Sequence, residues 1–124
     1  MLAFISTESG IDSLWIRSLS DQTHVLVLQS KIKEKLSEPT WSPDGKQLLV
    51  SALSKDSSRM IQFNVELGNA SQFPSENNVK MGKWSHDGTM MYWYEQIDGI
   101  WHVLEKALKS KKQRIITFWK KVFL

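Results

Sequence analysis

The sequence predicts an all-β fold, an incomplete β-propeller of two full four-stranded antiparallel blades plus three strands of another. Three observations predict it. A turn signature occurs twice, as Trp41-Ser42-Pro43-Asp44-Gly45 and as Trp84-Ser85-His86-Asp87-Gly88, 43 positions apart. That spacing lies within the period of about 40–50 residues typical of propeller blades. Each copy leads into a short apolar run, and each run is followed by a turn and further strand-like runs, so the repeating unit is a meander.

The first apolar runs are residues 2–7, 46–53 and 89–95. The N-terminal one has no signature of its own. All three are β-branched or aromatic and apolar on both faces, which suits strands covered on both sides. Polar breaks follow, and Asp98-Gly99 between apolar runs is a hairpin signal. The second strands are residues 13–19, 59–67 and 100–104, with near-strict alternation from Met60 to Leu67. Turns at residues 20–22, 68–70 and 109–112 precede third strands at 25–28, 71–73 and 114–116. Residues 30–36 have the composition of a short helical turn but read better as a loop. Residues 105–108 have helix-forming composition, and there the repeat demands strand. The expected organisation is a partial blade at 2–38, blades at 39–80 and 81–116, and a closing strand or tail at 117–124.

The signature residues have a turn logic. Ser42-Pro43-Asp44-Gly45 fits a type I turn closed by a glycine at positive φ, the three-residue hairpin loop with a bulge. Gly45 and Gly88 are then required by a conformation that costs other residues roughly 1 kcal/mol or more. Asp44 and Asp87 accept bonds from nearby amides, and His86 replaces proline in the second copy. Trp41 and Trp84 are expected to pack between neighbouring blades.

Composition sets further limits. The chain has 124 residues, 41% hydrophobic and 23% charged, ordinary values for a globular domain. Six tryptophans are many, and Trp15, Trp41, Trp84, Trp93 and Trp101 fall in predicted strands. Cysteine is absent, which removes disulfide and thiolate chemistry. No apolar run approaches the ~18 residues needed to cross a bilayer, and the N-terminus lacks the basic start of a signal peptide. Net charge is −3 over residues 1–104 and +6 over residues 105–124. Lys109, Lys111 and Lys112 cluster at a predicted turn, so this basic segment reads as a solvated hairpin, without contact to nucleic acid or membrane.

No catalytic, cofactor-binding or metal-binding residues are expected. His24, His86 and His102 lack metal-ligand spacing, and there is no nucleophile elbow or phosphate-binding glycine loop. The aspartates of the signature read as turn residues. Tyr92, Trp93 and Tyr94 read as core residues of a doubly buried strand. The chain is accordingly expected not to be an enzyme.

The signature and the apolar strand after it resemble the TolB-type (WD40-like, PD40) propeller repeat, over residues 2–116. The resemblance implies a module that binds a protein or peptide partner, as in bacterial TolB-like periplasmic proteins or the sensor domains of ToxR/CadC-type regulators. It also implies a periplasmic location. The alternatives are the propeller portion of a prolyl-oligopeptidase-like or tricorn-like serine peptidase, or a truncated gene product without separate function. The blade count is open at both ends. The chain is therefore expected to be a fragment of a longer propeller, or to form a homodimer that completes a six-bladed ring, with residues 117–124 supplying the strand that blade one of the partner lacks.

Overall fold

A computed structural model describes residues 1–117. Among them the chain forms twelve strands and no helix: β1 (Leu2–Glu8), β2 (Ile11–Arg17), β3 (His24–Gln29), β4 (Lys35–Leu36), β5 (Thr40–Trp41), β6 (Gln47–Leu53), β7 (Ser58–Asn64), β8 (Asn69–Gln72), β9 (Val79–Trp84), β10 (Met90–Ile97), β11 (Ile100–Ala107) and β12 (Gln113–Ile115). They make three antiparallel sheets. The first is β1-β2-β3, and the third is β9-β10-β11-β12. In the second, β4 and β5 both pair with β6, followed by β7 and β8. The result is an incomplete propeller, with a three-stranded sheet and two full blades. Residues 118–124, most of the expected closing strand, lie outside the described residues.

Local chemistry sets the hairpins. Ser9-Gly10 and Asp98-Gly99 both place two successive residues at positive φ, the two-residue turn whose twist matches the strands it joins. Glu8 thus faces Ile11, and Ile97 faces Ile100. A longer turn recurs in every sheet. Gln22 donates its amide to the Ser18 carbonyl, Gly68 to that of Asn64, and Lys111 to that of Ala107, and all three donors have φ between 61° and 68°.

Two apolar clusters hold the sheets face to face. Leu14 and Ile16 of the first sheet meet Leu36, Leu48, Val50, Ala52, Ile61 and Phe63 of the second. On the opposite face of the second sheet, Leu49, Met60 and Phe73 meet Val79, Met91, Trp93 and Leu104 of the third. β6 alternates between the two clusters and is buried along nearly its whole length. Trp41 and Trp84 are half-buried against the first and second cluster respectively.

The structure departs from the sequence reading at several elements. β1 is not covered on both sides, with Leu2 50% exposed, and β2 already starts at Ile11. β7 stops at Asn64, although the apolar alternation continues to Leu67. The Asn64 side chain accepts the Leu67 amide at 2.9 Å and turns the chain, leaving Leu67 73% exposed. The next strand consequently starts at Asn69. Lys35–Leu36, expected as loop, forms β4, because the Leu36 amide is held at 2.8 Å by the Asp12 carboxylate of the first sheet. β10 is buried on one face only: Trp93 lies in the core, whereas Tyr94 is 45% exposed.

Candidate functional site

The two signature turns have the same hydrogen bonds. Ser42 Oγ donates to Asp44 Oδ1 at 2.7 Å and accepts the Gln47 amide, while Asp44 Oδ1 also accepts the Lys46 amide. Ser85, Asp87, Thr89 and Met90 repeat this arrangement, with an added bond from the Thr89 hydroxyl to Asp87 at 2.7 Å. Gly45 and Gly88 close the turns at φ of 73° and 76°. The Asp44 carboxyl is held below the usual range, first by the Ser42 hydroxyl and then by the Lys46 amide. That of Asp87 is lowered to about 2, chiefly by the Thr89 amide and hydroxyl. Both carboxylates are thus occupied by their own turns, which disfavours proton exchange near neutral pH.

The strands that enter these turns, β5 and β9, lie at the start of their blades, and the blades of a propeller surround a central channel. Both are irregular at the same repeat position. Between β4 and β5 the Ser37 amide still donates to the Ser51 carbonyl at 2.8 Å, and the chain leaves the ladder at Glu38 and Pro39. In β9 the register shifts opposite Tyr92 and Tyr94, and Met81 takes φ of 58°. Buried Ser51 joins the two irregularities. Its amide donates to Ser37 Oγ at 2.9 Å, and its hydroxyl accepts the Met81 amide at 2.8 Å. Gly82 sits against the core, and a methyl group built there would come within 2.9 Å of Leu49 Cδ1.

Between the two strands opens a cleft of about 840 Å³, lined by Trp41, Pro43, Met81, Lys83, Trp84 and His86 together with Glu38, Pro39, Thr40 and Ser85. The structure therefore brings Trp41, Pro43, Trp84, Ser85 and His86 of the signatures to one cleft. Ser42, Asp44, Asp87 and Gly88 line a second recess on the other side of Trp84, and Gly45 lines neither. Met81 is 43% exposed and offers an apolar thioether beside two indoles, Lys83 and His86. The arrangement can hold an extended chain with apolar groups, and Lys83 and Glu38 give its rim one charge of each sign.

Two further carboxylates matter that were not singled out in the sequence. Asp12 is buried and accepts Thr7 Oγ1 at 2.6 Å and the Leu36 amide at 2.8 Å, and these bonds lower its pKa in that order. It ties the first sheet to the second. Glu34 receives Arg59 through two bonds of 2.9 and 3.0 Å, which hold its carboxyl below the usual range. In the sequence Asp12 falls in a polar break that looks like any other turn, whereas the structure places it in β2. Only the pairing of Leu36 across sheets gives it a task.

No family model matches the chain, and no curated protein does. Solved structures do. TolB from Acinetobacter baumannii superposes with a TM-score of 0.69 over 94% of this chain at 18% identity. A putative TolB from Agrobacterium tumefaciens does so with 0.65 over 91% at 9% identity. The chain spans 29% and 43% of those two proteins. The fold is that of a TolB-type β-propeller, so the resemblance read from the signature holds at the level of architecture.

The expectation that the chain is not an enzyme is overturned. An oligogalacturonate lyase from Vibrio parahaemolyticus has this fold over 86% of the chain, with a TM-score of 0.56 and 11% identity. The exclusion rested on missing elbows, phosphate loops and metal spacings. Those motifs belong to other folds, and their absence does not exclude catalysis on a propeller that is also the frame of a lyase. Among the described residues, no three His, Cys, Asp or Glu side chains are grouped to hold a metal ion.

Proposed function

We propose that this propeller segment binds a protein or peptide partner, and that the partner lies as an extended segment in the cleft between Trp41 and Trp84. The observation that carries this reading is the cleft itself, where both signature strands present indole faces beside Met81, Lys83 and His86. Aromatic walls contribute area at small entropic cost, and a few polar groups at the rim fix orientation. Selection falls to the apolar and aromatic groups of the segment, because Lys83 and Glu38 offer one charge of each sign on the rim. The fold likeness to TolB proteins supports a role as the recognition part of a larger bacterial protein, such as a periplasmic component or the sensor of a regulator.

The test is a peptide array of extended ten-residue segments, with apolar and aromatic sequences set against wholly polar ones, followed by tryptophan fluorescence titration of the hits. The apolar peptides should shift the emission and bind. Trp84→Ala should weaken them at least tenfold, a change of about 1.4 kcal/mol. Equal binding by Trp84→Ala, or no preference for apolar peptides, would refute the reading.

A further inference from the structure

The three sheets repeat position by position. The cross-strand pairs Leu2–Arg17, Leu48–Phe63 and Met91–Lys106 are equivalent, and so are Ala3–Ile16, Leu49–Gln62 and Tyr92–Glu105. Every blade therefore has one face turned to the blade before it and one turned to the blade after it. The first kind of face is buried twice. In the second sheet it carries Leu48, Val50, Ile61 and Phe63, and in the third Met91, Trp93 and Leu104. In the first sheet the same positions hold Leu2, Phe4, Trp15 and Arg17, and no sheet covers them among the described residues. Leu2 is 50% exposed, and Leu26, next to Trp15 in the register, is 43% exposed. At the other end, the face with Tyr92, Tyr94, Val103 and Glu105 is likewise uncovered.

We infer that these two faces close on each other between two copies of this chain, giving a two-fold dimer of six blades. The chain already contains two interfaces of this kind. A face of the first kind mates with one of the second kind twice within the molecule, and the dimer repeats that mating at both seams, which closes the assembly. Six blades fall within the usual range for propellers. The inference does not depend on what the cleft binds.

Charge supports the same partner. Ile16 and Phe63 belong to one buried cluster between the first and second sheets. Their equivalents between the second and third are Gln62 and Lys106, both half-buried. Their equivalents at the seam are Glu105 of one copy and Arg17 of the second copy. An apolar pair, a polar–cationic pair and an anion–cation pair thus occupy one position at three successive seams. The Arg17 side chain has no hydrogen bond or ion pair among the described residues, and its Nε is buried without a partner. Glu105 takes Arg114 on Oε1 at 2.8 Å and also bonds the Tyr92 hydroxyl, and the two carboxylate oxygens together have acceptor sites left for a second guanidinium.

Light scattering on the full chain, with the dimer dissociation constant from sedimentation equilibrium, tests this. The expected mass is twice the 14.3 kDa of the chain. Arg17→Glu and Glu105→Arg should each raise the dissociation constant at least tenfold. Arg17→Glu combined with Glu105→Arg should restore the dimer, because the pair is then reversed at both seams. Circular dichroism checks that each variant folds. Should Arg17→Glu unfold the chain, Arg17→Met keeps the packing, removes the charge, and should weaken the dimer tenfold. A monomeric wild type, an assembly that grows without limit, or single variants as dimeric as wild type would overturn the inference. So would a double variant no more dimeric than the singles.

Discussion

Replacing Asp12 by alanine should loosen the join between the first and second sheets. The carboxylate accepts Thr7 Oγ1 at 2.6 Å and the Leu36 amide at 2.8 Å, and it is buried. Without it the Leu36 amide loses its acceptor inside the structure. Orphaning a buried amide costs about 1–3 kcal/mol, and losing the Thr7 bond adds about 1. The expected destabilisation is therefore about 2–4 kcal/mol. At this chain length that corresponds to a fall in Tm on the order of 10 °C. Thr7→Ala leaves the Leu36 bond in place and should cost only about 1 kcal/mol. Urea unfolding followed by tryptophan fluorescence and far-UV circular dichroism reads both. The acid side gives a second check. The pKa of Asp12 is lowered in the fold, so its contribution is fully present above the unfolded value near 3.8 and is lost as pH falls through the lower folded value. Asp12→Ala should lack that part of the acid dependence. An alanine variant within about 0.5 kcal/mol of wild type, the range of an ordinary surface change, would refute the reasoning.

Three further outcomes follow from the structure. The recurring turn has glycine at Gly68 but Gln22 and Lys111 at the equivalent positive-φ positions, so Gln22→Gly and Lys111→Gly should each stabilise by about 0.5–1 kcal/mol, read by thermal unfolding. The Asp87 carboxyl should titrate near 2 by NMR, well below an ordinary aspartate, and its turn should lose support only as pH falls from about 4 towards that value. Met60→Ala, in a fully buried position between the second and third sheets, should cost about 2–5 kcal/mol, whereas Leu67→Ala at the exposed turn should stay within about 0.5 in the same denaturant assay.

The architecture was legible in the sequence because its turns use residues with few other purposes. Asp98-Gly99 and the two Ser-x-Asp-Gly copies mark hairpins through positive φ and side-chain acceptors, and a 43-residue spacing has few readings other than blades. The second β-strand of the middle blade was misjudged at its end, since Val65 and Leu67 keep the apolar alternation while the decisive contact is the Asn64 side chain on the Leu67 amide. β4 was illegible because a two-residue strand is specified across sheets, by Asp12. The candidate cleft was half-legible. Trp41 and Trp84 read as packing residues, but Met81 and Lys83 line the same cleft beside a register shift in β9, and a register shift has no local sequence mark. Catalysis was excluded on motif grounds that do not apply to propellers.

The central claim is that three sheets stack as blades in one register, with Gly82 pressed against Leu49 and Met60. A methyl-resolved NOESY spectrum of the folded chain tests it directly. Strong cross-peaks are predicted from the Gly82 α-protons to the Leu49 δ1-methyl and the Met60 ε-methyl, because a substituent on Gly82 would lie 2.9 and 3.5 Å from those carbons. Absence of both cross-peaks in a spectrum that shows the β6–β7 ladder intact would contradict the stacking.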